Sequence, residues 1–161
     1  MLKIRSATRN DAHILKTLIF ELAEYERLQH EAIITEEDIL RDGFGPQPKF
    51  RALIAEWDGA VAGYAIFFEF YSTFQGRPGL FLEDIFVRPE YRSKGVGTAL
   101  LSDVANIAWQ ERYFCLRWEV LDWNEPAIQF YKNIDAVFLD QWKNVCLVGD
   151  PLQAMSKKGH K

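Results

Sequence analysis

Apolar positions along the 161-residue chain change their period several times, and each change marks a predicted element. Residues 2–6 alternate apolar and polar, the pattern of a first strand. Ala12, Leu15, Leu18, Ile19, Leu22 and Tyr25 then recur at helical spacing. Thr8 and Asp11 stand before them as an N-cap and its third-position acid. Thr35 and Asp38 repeat that start signal for a short second helix, which Gly43 can end, and residues 43–48 read as loop. From Phe50 the period falls to two. Residues 51–57 and 61–71 read as strands joined at Asp58-Gly59, a strong hairpin signal, and a turn at 76–79 leads to a third long strand, 80–87. Residues 94–111 return to helical spacing, with Val96, Leu100, Leu101, Val104 and Ala108 on one side. A strand at 114–121, a short helix at 125–133 capped by Asn124, and a last strand at 138–148 complete the order β-α-α-β-β-β-α-β-α-β. This predicts an α/β (α+β) fold, a mixed sheet with helices on its faces, in one domain over residues 1–150. From residue 151 a polar, mobile tail is expected, carrying Lys157, Lys158 and Lys161.

Composition supports a buried core: 48% of residues are apolar and 14% aromatic, too many for a disordered chain. No apolar run approaches the roughly 20 residues of a membrane span. The opening MLKIRSATRN lacks the apolar stretch of a secretion signal, so a cytoplasmic location is expected. Nineteen bases against 23 acids, net −4, argue against duplex nucleic acid as a partner. Cys115 and Cys146 form no CxxC or Cys/His cluster. Neither a metal nor a structural disulfide is expected, and both are read as small apolar core residues.

Three segments carry candidate chemistry. Arg92-Ser93-Lys94-Gly95-Val96-Gly97-Thr98 lies between a strand and a helix. Its glycines let a ligand approach the backbone, and the helix start offers unpaired N–H groups to phosphate oxygens. It is neither a P-loop, lacking GK[ST], nor a Rossmann fingerprint, lacking the third glycine. Leu82-Glu83-Asp84-Ile85-Phe86-Val87 sets two acids in an apolar strand. Alternation places them on opposite faces, so at least one is expected to be buried or in a cleft. In the third segment, Asn124-Glu125-Pro126-Ala127 caps a short helix that presents Tyr131 two turns later on the same side. A glycine-rich turn, a strand-end ion pair and a core aromatic are the respective structural alternatives.

Taken together, these segments resemble the GCN5-related N-acetyltransferase (GNAT) superfamily, closest to its diamine (spermidine/spermine) and thialysine acetyltransferase branch. ELAEYE (21–26), TEEDILRDGFG (35–45), LEDIFV (82–87) and WNEPAIQFYK (123–132) carry the likeness, which extends over residues 2–148. The resemblance implies a mostly antiparallel central sheet with helices on both faces. It also implies acetyl-CoA-dependent acetylation of a primary amine, with polyamine, diamine or a lysine analogue such as thialysine as acceptor. Alternatives are a protein lysine or N-terminal acetyltransferase and a non-catalytic acyl-CoA-binding module. By the likeness, backbone amides at Ile85, Phe86 and Val87 hold the thioester and pantetheine arm. Arg92 and Ser93 to Thr98 take the pyrophosphate, and Asn124 to Ala127 line the cofactor further along. Tyr131 matches the general acid that protonates the departing thiolate, and Glu83 the water-linked base. Amine-binding positions are Tyr25, Glu26, Glu83, Asp84, Arg117, Trp118, Glu119, Asp140 and Trp142. Kinship also implies a homodimer. The chain departs from the family at Asp135-Ala136, where a Gly-Ala step is usual; Asp tolerates a positive φ at a modest penalty.

The chemistry is physically coherent. An alkyl amine titrates near pH 10.4, so about one molecule in 2,500 is neutral at pH 7, a cost of roughly 4.6 kcal/mol that a base offsets. Neither cysteine has a His partner at a motif, which favours direct transfer over a covalent intermediate. Residues 21–42 hold eight acids and two bases, a patch able to steer a cationic substrate.

Overall fold

The period-two segments up to Val87 form strands at nearly their predicted limits: β1 (Leu2–Ser6), β2 (Arg51–Trp57), β3 (Ala60–Ser72) and β4 (Arg77–Val87). The computed structural model describes residues 1–159. These strands pair antiparallel in chain order, and β5 (Leu116–Arg117) joins β4 in parallel, giving a five-stranded sheet β1-β2-β3-β4-β5. The β2–β3 hairpin turns at Asp58 and Gly59, both at positive φ, as its tight turn requires.

Alternation assigns the two faces. Ala52 and Ile54 of β2, Tyr64 and Ile66 of β3 and Phe86 of β4 join one core cluster. α1 (Ala12–Tyr25) contributes Leu15 and Leu18 to it, and α2 (Glu36–Phe44) contributes Ile39. Leu53, Ala55, Ala65, Phe67, Leu80 and Leu82 are buried on the opposite face, which α3 (Val96–Gln110) covers with Val96, Leu100, Leu101 and Val104. Each Leu, Ile, Val or Phe among them contributes roughly 1.5–3 kcal/mol. Both expected helix starts are realised: the Thr8 N–H donates to Asp11 Oδ2, and the Thr35 and Asp38 side chains each accept the other's backbone N–H.

In β4 the alternation slips. Ile66 faces Asp84 and Phe67 faces Leu82, so Glu83 is an extra residue without a cross-strand partner, a β-bulge. Cross-strand partners share a face, so Leu82 stays on the α3 side while Asp84 and Phe86 turn to the side of α1 and α2.

The chain divides into two compact units, Met1–Glu119 and the residues from Val120 onward. In the second, α4 (Glu125–Asn133) begins at Asn124, whose side chain accepts from the Ala127 N–H at 3.4 Å. Beyond its end Asp135 adopts φ 58°, so the departure from Gly is accommodated by an aspartate in the left-handed region.

Several expectations are corrected. The strand expected at 114–121 shrinks to Leu116–Arg117, because β4 offers it pairing only at Leu80 and Phe81. No strand forms at 138–148; its side chains are exposed, and alternation makes a strand only where a face is buried. The expected mobile tail contains α5 (Gly149–Ser156), with Asp150 and Pro151 in its first turn, where both are tolerated or favoured. Lys161 of that tail lies outside the described residues. Cys146 is exposed and Cys115 half-buried, so Cys146 is no core residue. No described helix is long and apolar enough to cross a membrane.

Candidate functional site

The loop into α3 is shaped by its backbone. Ser93 and Gly95 both have positive φ (58° and 81°), which turns the chain sharply before the helix begins. The first-turn N–H groups of Val96, Gly97 and Thr98 have no partner within the helix and stand at its positive end. A Cβ at Gly95 would meet nothing within 4 Å, and one at Gly97 only Val87 Cγ2 at 3.7 Å. Packing therefore does not require glycine at 97; its absent side chain leaves a low cradle over the helix terminus. Arg92, Ser93, Lys94 and Thr98 are exposed around it. This donor set fits a diphosphate.

Arg92 itself is folded back. Its Nε donates to the Val87 carbonyl at 2.9 Å, and its guanidinium lies 4.5 Å from the Tyr25 ring centroid and 5.7 Å from that of Phe86. Lys94 Nζ lies 5.5 Å from the rings of Trp57 and Tyr91. Pairing of β4 with β5 ends at Phe81, and among the described residues no strand continues it along the edge at Ile85, Phe86 and Val87. A cavity of about 460 Å³ opens between α1 and the end of β4, lined by Glu21, Tyr25, Phe86, Arg88 and Arg92 among others.

Carboxylates gather nearby on the same unit. Asp84 is pushed up to about 6, mainly by burial and then by Glu83 and Glu26, against a hydrogen bond from the Tyr64 hydroxyl at 3.0 Å. Burial and Glu119 raise Glu83, and burial raises Glu26. Charged carboxylates held in this way are stabilised by a bound cation. Glu119 thus acts on Glu83, whereas Arg117 is exposed and Trp118 half-buried beside it.

In the second unit, Asn124, Glu125, Pro126 and Ala127 form the cap and first turn of α4. Tyr131 is buried in the last turn, its ring 5.5 Å from that of Phe130. Asp140 and Trp142 are exposed beyond it.

Across this arrangement the Acetyltransferase (GNAT) family profile matches residues 15–135. The chain belongs to the GNAT acetyltransferase family. Thialysine N-epsilon-acetyltransferase of Mus musculus is 36% identical over 165 residues, 96% of either chain. L-ornithine N5-acetyltransferase of Arabidopsis thaliana is 30% identical over 201 residues, 96% of this chain and 88% of that one. An integron cassette protein from V. cholerae shares the fold, with a TM-score of 0.81 over 98% of both chains at 22% identity. As a GNAT member the protein is an N-acetyltransferase, a class that uses acetyl-CoA. The GNAT match runs through both units and takes in every expected site residue except Asp140 and Trp142.

Sequence reasoning missed two features of this GNAT site. Arg88 makes a two-pronged pair with Glu21 at 2.8 and 2.7 Å and donates to the Val61 carbonyl at 3.0 Å, clamping α1 to the end of β4. Tyr64 was hidden in an apolar strand; the signal available was that a buried phenol needs a hydrogen-bond partner. The acidic patch is also thinner than its count. Glu21 is paired with Arg88, and Asp38 and Asp42 with Arg41.

Proposed function

We propose that this GNAT acetyltransferase transfers an acetyl group from acetyl-CoA directly to a primary amine of a small cationic substrate: a polyamine, a diamine or a lysine analogue such as thialysine. The observation that carries this reading is the carboxylate group of Asp84, Glu83 and Glu26: burial raises each of them, and Glu83 and Glu26 add to the rise of Asp84. Relatives named for thialysine and L-ornithine, matched over 96% of this chain, support the same substrate class.

When bound, acetyl-CoA supplies a thioester carbon that a neutral amine attacks, forming the C–N bond as the C–S bond breaks. The cradle over Gly95 and Gly97 and the cations Arg92 and Lys94 hold the diphosphate. The backbone edge at Ile85, Phe86 and Val87 offers N–H groups to the carbonyl oxygen and the pantetheine amides. Glu83 accepts the ammonium proton through water; burial and Glu119 raise its affinity for protons, the direction a base needs. Asp84 and Glu26 retain the cationic remainder of the substrate, with Tyr25 and residues 117–119 beside them. Asn124 to Ala127 contribute to holding the cofactor. Tyr131 gives its hydroxyl proton to the departing thiolate and regains one from the new amide nitrogen as that nitrogen sheds its extra proton, and Asp140 and Trp142 contact the amine. Residues 1–150 act as one catalytic domain.

The protein works in the cytoplasm, where the exposed thiol of Cys146 stays reduced. It acts as a homodimer: Val137, Val145 and Val148 expose apolar surface that a second copy would bury. Sedimentation at micromolar concentration checks the dimer, and a monomer there rejects it. The reaction is tested by thiol release from acetyl-CoA with spermidine, putrescine, thialysine, lysine and a lysine peptide. Release with the small amines is expected. Release with the peptide alone, or with no acceptor despite cofactor binding, overturns the reading.

A further inference from the structure

Tyr64 has no solvent-exposed surface, and its one oxygen donates to Asp84 Oδ2 at 3.0 Å. Burial holds this phenol well above its ordinary range, so it remains a protonated donor at any working pH. The meeting depends on the bulge. Tyr64 faces Phe86 across the ladder and Ile66 faces Asp84, so both pairs point to the face of α1 and α2. In a regular ladder Asp84, two residues beyond Leu82, would share its α3 face and leave the hydroxyl without its acceptor; the bulge at Glu83 turns it to the side of Tyr64.

The other groups acting on Asp84 are Glu83, its neighbour on β4, and Glu26, at the end of α1. Both are carboxylates, and both oppose its ionisation, as burial does. The Tyr64 hydroxyl works in the opposite direction.

We propose that Tyr64 is a positioning residue of the amine site: its hydrogen bond holds Asp84 ionised and aimed, so that Asp84 anchors an ammonium group of the substrate. This rests on the reading of the protein as an acetyltransferase of cationic amines, and adds to it a residue that touches neither substrate nor cofactor. The direction of its effect follows from the signs. Asp84, titrating at about 6, is charged at neutral pH and loses its hold on an ammonium as the pH falls through that value. Removing the hydroxyl withdraws a stabilising donor, so the carboxyl takes its proton at a higher pH.

The test is Tyr64→Phe, which deletes a single oxygen. Carbon-13 NMR of the Asp84 carboxyl in the protein without substrate should show the titration midpoint rising by about one pH unit. The acid limb of kcat/KM for spermidine, at saturating acetyl-CoA, should move upward by the same amount, with activity returning toward wild type at about pH 9. Asp84→Asn should raise the spermidine KM more than it lowers kcat, and in that background Tyr64→Phe should no longer move the acid limb. An unchanged midpoint in Tyr64→Phe, a loss equal at every pH, or an acid limb that Tyr64→Phe still moves in the Asp84→Asn background would each overturn the proposal. Should the wild-type protein acetylate no amine, the functional reading fails while the NMR titration still decides whether Tyr64 governs Asp84.

Discussion

Arg92 stacks its guanidinium on the ring of Tyr25 at 4.5 Å while its Nε holds the Val87 carbonyl at 2.9 Å. One side chain therefore joins a residue of the proposed amine site to the strand and loop proposed to hold the cofactor. Replacing Arg92 by Ala removes a cation from the diphosphate and the cover from Tyr25. We expect the KM for acetyl-CoA to rise about tenfold and that for the amine to rise severalfold. Arg92→Lys should recover little, since an ammonium cannot stack and donate in that geometry together. Steady-state kinetics with both substrates varied decides it; an effect confined to acetyl-CoA would separate the two sites.

Gly97 predicts opposed effects on stability and binding. Its Cβ position is open, with Val87 Cγ2 at 3.7 Å, and it lies in the first turn of α3. Gly97→Ala should therefore raise folding stability by roughly 0.5–1 kcal/mol. The same methyl would occupy the cradle, and the Kd for coenzyme A should weaken about tenfold. Gly95→Ala should cost stability instead, because φ there is 81°. Thermal melts and calorimetric titration of coenzyme A read both quantities; unchanged affinity in Gly97→Ala would remove the cradle from the cofactor site.

Much of this geometry was legible in the chain, for identifiable reasons. Strands to Val87 and the helices at Thr35 and Val96 could be read because one face of each is buried, which imposes a period. The sharp turn into α3 was legible at Gly95, because its positive φ of 81° favours glycine. The bulge at Glu83 was not, since an inserted residue changes no composition and shows only in the pairing of Ile66 with Asp84. For the same reason the link from Tyr64 to Asp84, twenty positions apart, was invisible until the register was known. Residues 138–148 misled because they alternate without a face to bury, and Cys146 because residue type alone says little about one position.

Asp11 makes stability depend on pH. Arg5 pairs with both its oxygens at 2.8 and 2.9 Å, and the Thr8 N–H and hydroxyl donate to it at 2.7 and 2.8 Å. These bonds hold its carboxyl at about 2, below its ordinary 3.8. A lowered value means that the contribution is complete above the unfolded value and is lost as pH falls from about 4 toward 2. Asp11→Asn should destabilise by about 1–2 kcal/mol at neutral pH, after allowance for solvent screening. Urea denaturation should show that difference narrowing in the acid window; a gap constant with pH would assign the effect to packing.

Asp135 sits at φ 58°, just past α4, where the Ala136 N–H donates to the Tyr131 carbonyl at 3.1 Å. Glycine takes this conformation without a Cβ penalty. Asp135→Gly should stabilise by roughly 0.5–1 kcal/mol, and Asp135→Ala should destabilise by a similar amount. Equal melting temperatures for the two variants would show that the turn is not held at positive φ in solution.

Tyr131 ends α4 as a buried phenol, and in the proposed reaction its hydroxyl proton goes to the departing thiolate. Tyr131→Phe keeps the ring and its packing on Phe130, so the Kd for acetyl-CoA should change by less than about twofold, while kcat at pH 7 falls by about 100-fold. The pH dependence separates proton donation from positioning. A thiol of ordinary acidity, near 8.5, leaves as a stable thiolate in more alkaline solution and then needs no donor. The ratio of wild-type to variant kcat should therefore shrink between about pH 7 and pH 9. A ratio that stays constant over that range would take the proton from Tyr131 and leave it only the task of placing the cofactor.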